Sequence, residues 1–190
     1  MKLLKLVSPV FAAFIFIAPV MAAEKSAASD TVATGEVVKL GKITPNGPFR
    51  LWSAINRVLP AYAASTGGAD LRAQVESLSV VDASGKKPGD VMVQSTAFRS
   101  VLEEIRAELK MDKIEVYKDP LGRAVTPGVV FVNAGFNMDG IVETFRAHAK
   151  KSDVDYGGFF EVSVFKGKSP SDVYALAELA VRRLRLIKGS

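Results

Sequence analysis

The chain has few of the residues from which enzymes build active sites or metal centres. It contains one histidine, His148, and no cysteine. A zinc site of the usual type needs three or four such ligands, so none can be built within this chain. As a general base His148 would need an orienting carboxylate, and its place near the end of a predicted helix favours a simpler role as a charge that complements the helix C-terminus. We therefore expect a protein without catalytic activity and without a cofactor or metal.

Two other spacings resemble known sites but lack essential parts. The run Asp153-Val154-Asp155-Tyr156-Gly157-Gly158 begins like a calcium loop, yet the twelfth position, which should be a bidentate Glu, is Val164. Ser84 and Lys87 have the spacing of a Ser–Lys pair, without the companion motifs of that class of enzyme. We interpret the first as a polar turn and the second as a chance spacing.

Polar residues on two predicted helices raise the possibility of a ligand pocket. Gln94 on the second helix and Asn133 and Asn137 on the third are expected where these helices turn inward. Together they could bind a small polar ligand between helices, as in a carrier protein. The alternative is that they form interhelical hydrogen bonds that fix the register of the helices.

Basic residues crowd the end of the chain and are the candidate partner surface, namely Arg182, Arg183, Arg185 and Lys188. Such charges complement the negative end of a helix dipole. Interleaved with leucine and isoleucine, they could also meet anionic lipid or an acidic envelope protein.

The first 22 residues have the parts of a secretory signal peptide: an early pair of lysines, an apolar run over residues 6–20, and small residues at Val20-Met21-Ala22, with Met21-Ala22-Ala23 as a second cleavage option. The alternative is an uncleaved anchor, but the run contains two prolines and is shorter than the roughly 20 residues that a spanning helix needs. We expect cleavage, no transmembrane span afterwards, and a periplasmic or secreted protein, which the absence of cysteine also suits.

The rest of the chain is predicted to be a flexible leader followed by one domain. Residues 23–35 are small, polar or charged and cannot bury enough apolar surface to become ordered, whereas residues 36–190 suffice for one core. The net charge is +5 for the chain and +3 without Lys2 and Lys5. Because acids are interspersed, this charge does not indicate binding to nucleic acid.

A heptapeptide that recurs within the chain indicates repeated units. Gly85-Lys86-Lys87-Pro88-Gly89-Asp90-Val91 returns as Gly167-Lys168-Ser169-Pro170-Ser171-Asp172-Val173, with five of seven positions identical. Proline suits the first turn of a helix, and the aspartate there meets the positive end of the dipole. Weaker versions at Pro48 and Pro127 would bring the number of units from two to four, about 40 residues apart.

Helical periodicity follows each of these prolines. The second helix has an apolar stripe that includes Phe98, Leu102 and Ile105, whereas Arg106 is expected on its exposed back. The predicted helices are Phe49–Ala64, Gly89–Lys110, Gly128–Lys150 and Ser171–Lys188. The connectors are long and contain β-prone runs at Gln74–Asp82, Lys113–Lys118, Gly158–Phe165 and, less clearly, Glu36–Ile43.

Two architectures remain open at this point. The favoured one is a mainly α protein, a four-helix bundle of pseudo-repeats of about 40 residues with extended connectors. The alternative is an α/β protein with four β-α units, although its strands would be expected to read as continuous apolar runs and these alternate with polar residues. Either way, scarce chemical groups and systematic structural motifs favour a non-enzymatic exported interaction or envelope-associated module. A small-ligand carrier is the alternative.

Overall fold

The fold is a bundle of four α-helices. The computed structural model describes residues 43–119, 122, 124–149, 157–160 and 164–190. Its helices are α1 Asn46–Ser77, α2 Pro88–Glu108, α3 Pro127–Ala149 and α4 Pro170–Lys188, with a short 3-10 helix at Gly157–Phe160. These residues contain no β-strand, so the predicted mainly α bundle is confirmed and the β-α alternative is not adopted. None of the helices described is long and apolar enough to cross a membrane.

All four helices begin at the same end of the bundle and run in the same direction, α1 as far as Gly68, where its helical geometry is interrupted. The backbone N–H of Lys168 donates to Asn46 Oδ1 at 3.0 Å, which joins the start of α4 to the start of α1. The backbone N–H of Lys86 donates to Ser171 Oγ at 3.1 Å, which joins the start of α2 to the start of α4. Near the opposite end, Tyr62 of α1 lies beside His148 of α3. The helix N-termini are therefore at one end of the bundle, and α2, α3, α4 and the part of α1 before Gly68 run from it toward the other end.

The parallel arrangement explains why the connectors are long. A helix of about 20 residues is about 30 Å long, so the chain has to return over that distance before the next helix can begin. After α1 part of the return is helical, because residues 69–77 lead back from Gly68 to Leu78, whose carbonyl accepts from Arg183 of α4. In cross-section α1 and α2 each pack against both α3 and α4, so α1 lies diagonally opposite α2.

The four helix starts enclose a small apolar depression at one end of the bundle. It is lined by four prolines and by the residue three positions after each of them: Pro45, Pro48, Pro88, Val91, Pro127, Val130, Pro170 and Val173. The proline that opens α1 is thus Pro45, whereas the sequence suggested Pro48. Pro48 is buried and takes the place that valine has in the other three helices.

Helix α1 is longer than predicted and contains a break. The sequence suggested an end at Ala64 and a turn at Gly67-Gly68, but helical structure resumes beyond the glycines and extends to Ser77. Gly68 has φ 73° and ψ −162°, a conformation almost restricted to glycine. The break lets Leu71 and Val75 turn back into the core, where both are buried.

The core lies between the apolar stripes of the four helices. Its largest buried side chain, Trp52 of α1, reaches toward the diagonal helix and packs edge-on against Phe98 of α2, with ring centroids 5.5 Å apart. Leu102, Met138 and Leu184 are also fully buried around this centre. One connector packs on the seam between α2 and α3 through Ile114, which fits because Gly140 has no side chain: a Cβ there would lie 2.6 Å from Ile114 Cδ1.

Candidate functional site

The three predicted ligand-binding residues make hydrogen bonds to different neighbours. Asn137 is fully buried and donates through Nδ2 to Ser95 of α2, at 3.0 Å to its carbonyl and 2.9 Å to its hydroxyl. Gln94 points to another neighbour and donates to the Tyr174 hydroxyl of α4 at 3.2 Å. The described pockets are not lined by any of these three residues. Their hydrogen bonds connect one helix to the next.

Asn133 is bonded on both sides of its amide group. Its Nδ2 donates to the carbonyl groups of Tyr117 and Val129 at 3.1 and 3.0 Å. Its Oδ1 accepts from the buried Arg99 guanidinium at 3.4 Å. Asn133 therefore holds the connector at Tyr117 against the bundle and leaves little capacity for a ligand, since an amide of this kind has two N–H groups and one oxygen to offer.

A second polar cluster, which the sequence did not reveal, surrounds Arg106. The sequence suggested that Arg106 lies on the exposed back of its helix, but its side chain is buried. Its guanidinium donates to the Asp112 and Gly140 carbonyls at 2.9 and 3.2 Å, to Thr144 Oγ1 at 3.4 Å and to Glu143 at 3.1 Å. The cluster joins α2, α3 and the connector after α2. Burial and the neighbouring Glu143 raise the pKa of the nearby Asp139.

Arg182 and Arg183, two of the four predicted partner-surface residues, bind groups of their own chain. Arg183 donates to the Asn56 carbonyl at 3.0 Å and to the Leu78 carbonyl at 3.1 Å. Burial lowers the pKa of the Arg183 guanidinium. Arg182 donates to the Ser79 carbonyl at 2.6 Å and pairs with Glu178 at 2.7 Å. Both side chains thus hold the beginning of the connector between α1 and α2.

The other two basic residues lie at the exposed end of α4. The Lys188 ammonium pairs with Glu104 of α2. The Arg185 side chain is exposed and its guanidinium has no partner among the described residues. It lines two neighbouring surface depressions, one between α4 and α2 and the other between α4 and the region around Gly67. Arg185 is therefore the basic residue of the four whose charge remains available to a partner.

His148 is paired with a tyrosine. Its Nδ1 lies 3.2 Å from the Tyr62 hydroxyl, and the two rings pack edge to face with centroids 5.8 Å apart. Burial and the charge of Glu108 raise the pKa of Tyr62 to about 12, so the hydroxyl remains neutral near neutral pH. The contact joins α1, six residues before Gly68, to the last turn of α3.

The two aspartates of the recurring heptapeptide cap their own helices. Asp90 Oδ2 accepts from the backbone N–H of Lys87 at 2.8 Å. Asp172 Oδ2 accepts from the backbone N–H of Ser169 at 2.8 Å and from its hydroxyl at 2.7 Å. The Ser169 hydroxyl in turn accepts from the Asp172 N–H, which completes a capping box. The predicted N-cap role of Ser169 is confirmed.

We expect Asp172→Asn to destabilise the protein by about 1 kcal/mol at neutral pH, because it removes a charged helix cap. The hydrogen bonds from Ser169 hold the pKa of Asp172 below its ordinary value of 3.8. A lowered pKa means that the stabilisation is complete above the ordinary value and is lost as the pH falls through the folded value. The difference between wild type and variant in urea unfolding should therefore disappear at strongly acidic pH. Asp82→Asn, at an exposed position of the connector between α1 and α2, is the control and should change neither the free energy of unfolding nor its dependence on pH. An Asp172→Asn effect that persists in acid would contradict the capping argument.

Metal ligands are not brought together in the part of the chain that the structure describes: it contains no group of three or more His, Cys, Asp or Glu side chains suited to a metal ion. Asp153–Tyr156, which begin the calcium-like run, lie outside the described residues. The Ser84–Lys87 pair lies at the start of α2, where Lys87 is the N-cap residue.

An open apolar groove lies beside the starts of α1 and α3. Its lining includes Ile43, Tyr117, Val129 and Val132 together with residues 126–128, and it is open to solvent. Tyr117 is 38% exposed. This groove was not predicted. Val129 and Val132 lie beside the buried stripe of α3, and the sequence does not show whether apolar residues there face the core or the groove.

Arg106 and the groove are thus the features that sequence reasoning missed. The sequence contains only a weak indication that Arg106 is buried. Arg106 lies three positions before the apolar Leu109, and nothing in the sequence indicates that a connector folds over it.

Comparison of the chain with protein-family models, with curated proteins and with solved structures gave no match.

Proposed function

We propose that this chain is an exported, non-enzymatic module that associates with the anionic surface of the cell envelope through the exposed end of α4. The observation that carries the proposal is how the polar side chains are used. Arg99, Arg106, Arg183, Asn133 and Asn137 are engaged in joining helices and connectors. The Arg185 guanidinium is exposed, is not engaged in this way, and lies between two depressions.

Export belongs to the same proposal. It is supported by the signal-peptide features of residues 1–22 and by the absence of cysteine. Hydrogen bonds hold the connectors after α1 and α2 to the bundle. A bundle of this kind suits a periplasmic or extracellular environment without needing a disulfide for stability.

We also propose that the four helix entries derive from one repeated unit. In support, Pro45, Pro88, Pro127 and Pro170 have equivalent places around one depression. Lys86 and Lys168, each two residues before its proline, also make equivalent contacts: each backbone N–H binds a side-chain oxygen at the start of a neighbouring helix. A repeated unit would account for the uniform direction of the helices.

The test is binding to vesicles, with Arg185→Glu as the variant. A basic side chain near an anionic bilayer contributes about 1 kcal/mol, so charge reversal should weaken co-sedimentation with vesicles of phosphatidylethanolamine and phosphatidylglycerol by about tenfold. Wild-type binding should fall with added salt and be absent from vesicles of phosphatidylcholine alone.

Arg50→Glu is the matched control. Arg50 is also exposed, but it lies in the first turns of α1 at the opposite end of the bundle. The Arg50→Glu substitution should change vesicle binding by less than twofold. Equal losses in the two variants would show that net charge and not the end of α4 determines binding, and no binding by the wild type would contradict the proposal.

A further inference from the structure

Residues 69–81, here called the flap, lie against α4 and are held there by few contacts. The flap follows Gly68, whose φ of 73° interrupts α1, and a second glycine of positive φ, Gly85, precedes the start of α2. The structure describes every residue between these two glycines, and the buried ones among them are Leu71 and Val75. A segment with so few buried apolar side chains has low local stability, so it can open without unfolding of the bundle.

The flap engages two of the basic side chains near the end of α4. The Arg183 guanidinium donates to the Leu78 carbonyl at 3.1 Å, and the Arg182 guanidinium donates to the Ser79 carbonyl at 2.6 Å. Both donors are charged, and both acceptors are neutral groups of the flap backbone. While the flap is closed, these N–H groups are not free to bind an anion.

The flap also places negative charge beside the basic residues. Asp70 lines the same surface depression as Arg185. Burial lowers the pKa of the Arg183 guanidinium, and the nearby charge of Glu76 acts in the opposite direction. With Arg72, which pairs with Glu76, the flap has two acids and one base and therefore a net charge of −1. This charge opposes the attraction of the arginines for an anionic surface.

We propose that the flap is an autoinhibitory element of the envelope-binding end of α4, closed in solution and opened by an anionic bilayer. The inference rests on the proposed function, since it concerns the same basic surface. When the flap opens, its carbonyl groups leave Arg182 and Arg183, and Asp70 leaves Arg185. The bilayer then meets three arginines instead of one. It therefore binds the open form more tightly and shifts the population toward that form.

Thiol labelling measures this opening, because the chain contains no cysteine. Val75 is fully buried, so Val75→Cys places one thiol on the hidden side of the flap in the full chain. Its rate of reaction with a maleimide follows the open population when opening and closing are fast. A basic side chain near an anionic bilayer favours binding about fivefold, and two arginines are freed. Vesicles of phosphatidylethanolamine and phosphatidylglycerol should thus raise the rate at least fivefold, and vesicles of phosphatidylcholine should leave it unchanged.

Val58→Cys is the control, since Val58 is equally buried but precedes Gly68 in α1. Its labelling should remain slow with either kind of vesicle. An equal rise at both thiols would indicate that the bilayer unfolds the bundle, and it would overturn the proposal. With Arg182→Gln and Arg183→Gln together, anionic vesicles should raise the Val75→Cys rate less than twofold, because no arginine is freed. A full fivefold rise in that variant would also overturn the proposal.

Leu71→Ala tests the flap without lipid. It should raise the labelling of Val75→Cys at least tenfold in solution and leave that of Val58→Cys unchanged, because Leu71 anchors the flap and not the remainder of the bundle. Equal rises at the two thiols would show that the flap does not open by itself.

Co-sedimentation of the same samples separates the two proposals. Vesicle binding with an unchanged Val75→Cys rate would overturn the flap as an autoinhibitory element and leave the envelope association standing. Absence of vesicle binding would overturn both.

Discussion

Replacement of Trp52 by alanine is expected to lower the free energy of unfolding by about 4 kcal/mol. The side chain is fully buried and packs against Phe98 at the centre of the bundle. Removal of a large aromatic side chain from a core costs about 3–5 kcal/mol, because the lost burial is compounded by a cavity that the surroundings only partly fill.

Urea unfolding followed by circular dichroism is the measurement, because Trp52 is the only tryptophan and its fluorescence is lost in the variant. Trp52→Phe is the matched control and should cost about half as much. The indole N–H has no hydrogen-bond partner among the described residues, so phenylalanine loses volume but no bond. A cost below about 2 kcal/mol for Trp52→Ala, at an unchanged dependence on urea, would show that the helices do not close around this side chain.

Replacement of Arg106 by methionine is expected to cost about 3 kcal/mol. Methionine fills a similar volume but leaves the carbonyl group of Asp112 without its donor and removes the bonds to Gly140 and Thr144. Removal of a charged donor from buried acceptors carries a cost of this size. Because these bonds hold the connector after α2, amide hydrogen exchange at residues 111–117 should also become faster, while exchange in α4 should change only with global stability.

Glu143→Gln separates the hydrogen-bond network from the ion pair. The Glu143 side chain is 56% exposed, and an ion pair with such a partner contributes less than about 1 kcal/mol. We therefore expect Glu143→Gln to be mild. If the two substitutions had equal effects, the ion pair and not the connector contacts would be what Arg106 contributes.

The helices could be predicted because their local signals are strong. Proline at the start and an apolar stripe placed the beginnings of α2, α3 and α4 within one residue of the structure, and α2 and α4 are also marked by a capping aspartate. The end of α1 was missed because Gly67-Gly68 is an ordinary signal for a helix end. The helix resumes beyond it because Leu71 and Val75 gain burial in the core, and tertiary packing of this kind overrides local preference.

The polar residues show where prediction from sequence stops. Asn133 and Asn137 were correctly expected to face inward, since both are buried, but which groups they bind depends on the register of the neighbouring helix and connector. Arg106 was misplaced because an amphipathic pattern describes the helix faces and carries no information about a connector that returns over one of them. The direction of the helices was not predictable from the stripes, although the length of the connectors was a usable signal.

The common direction of the four helices has a consequence for how the chain folds. In an up-and-down bundle, neighbouring helices meet through short loops, and a helix hairpin can form early. Here α1 does not pair with the helix that follows it, and its partners α3 and α4 begin about 80 and 125 residues after Asn46. Contacts so distant along the chain require large loops to close, which slows folding. The two diagonal helices α1 and α2 are each flanked by α4, so the bundle closes only when the last 19-residue helix is in place.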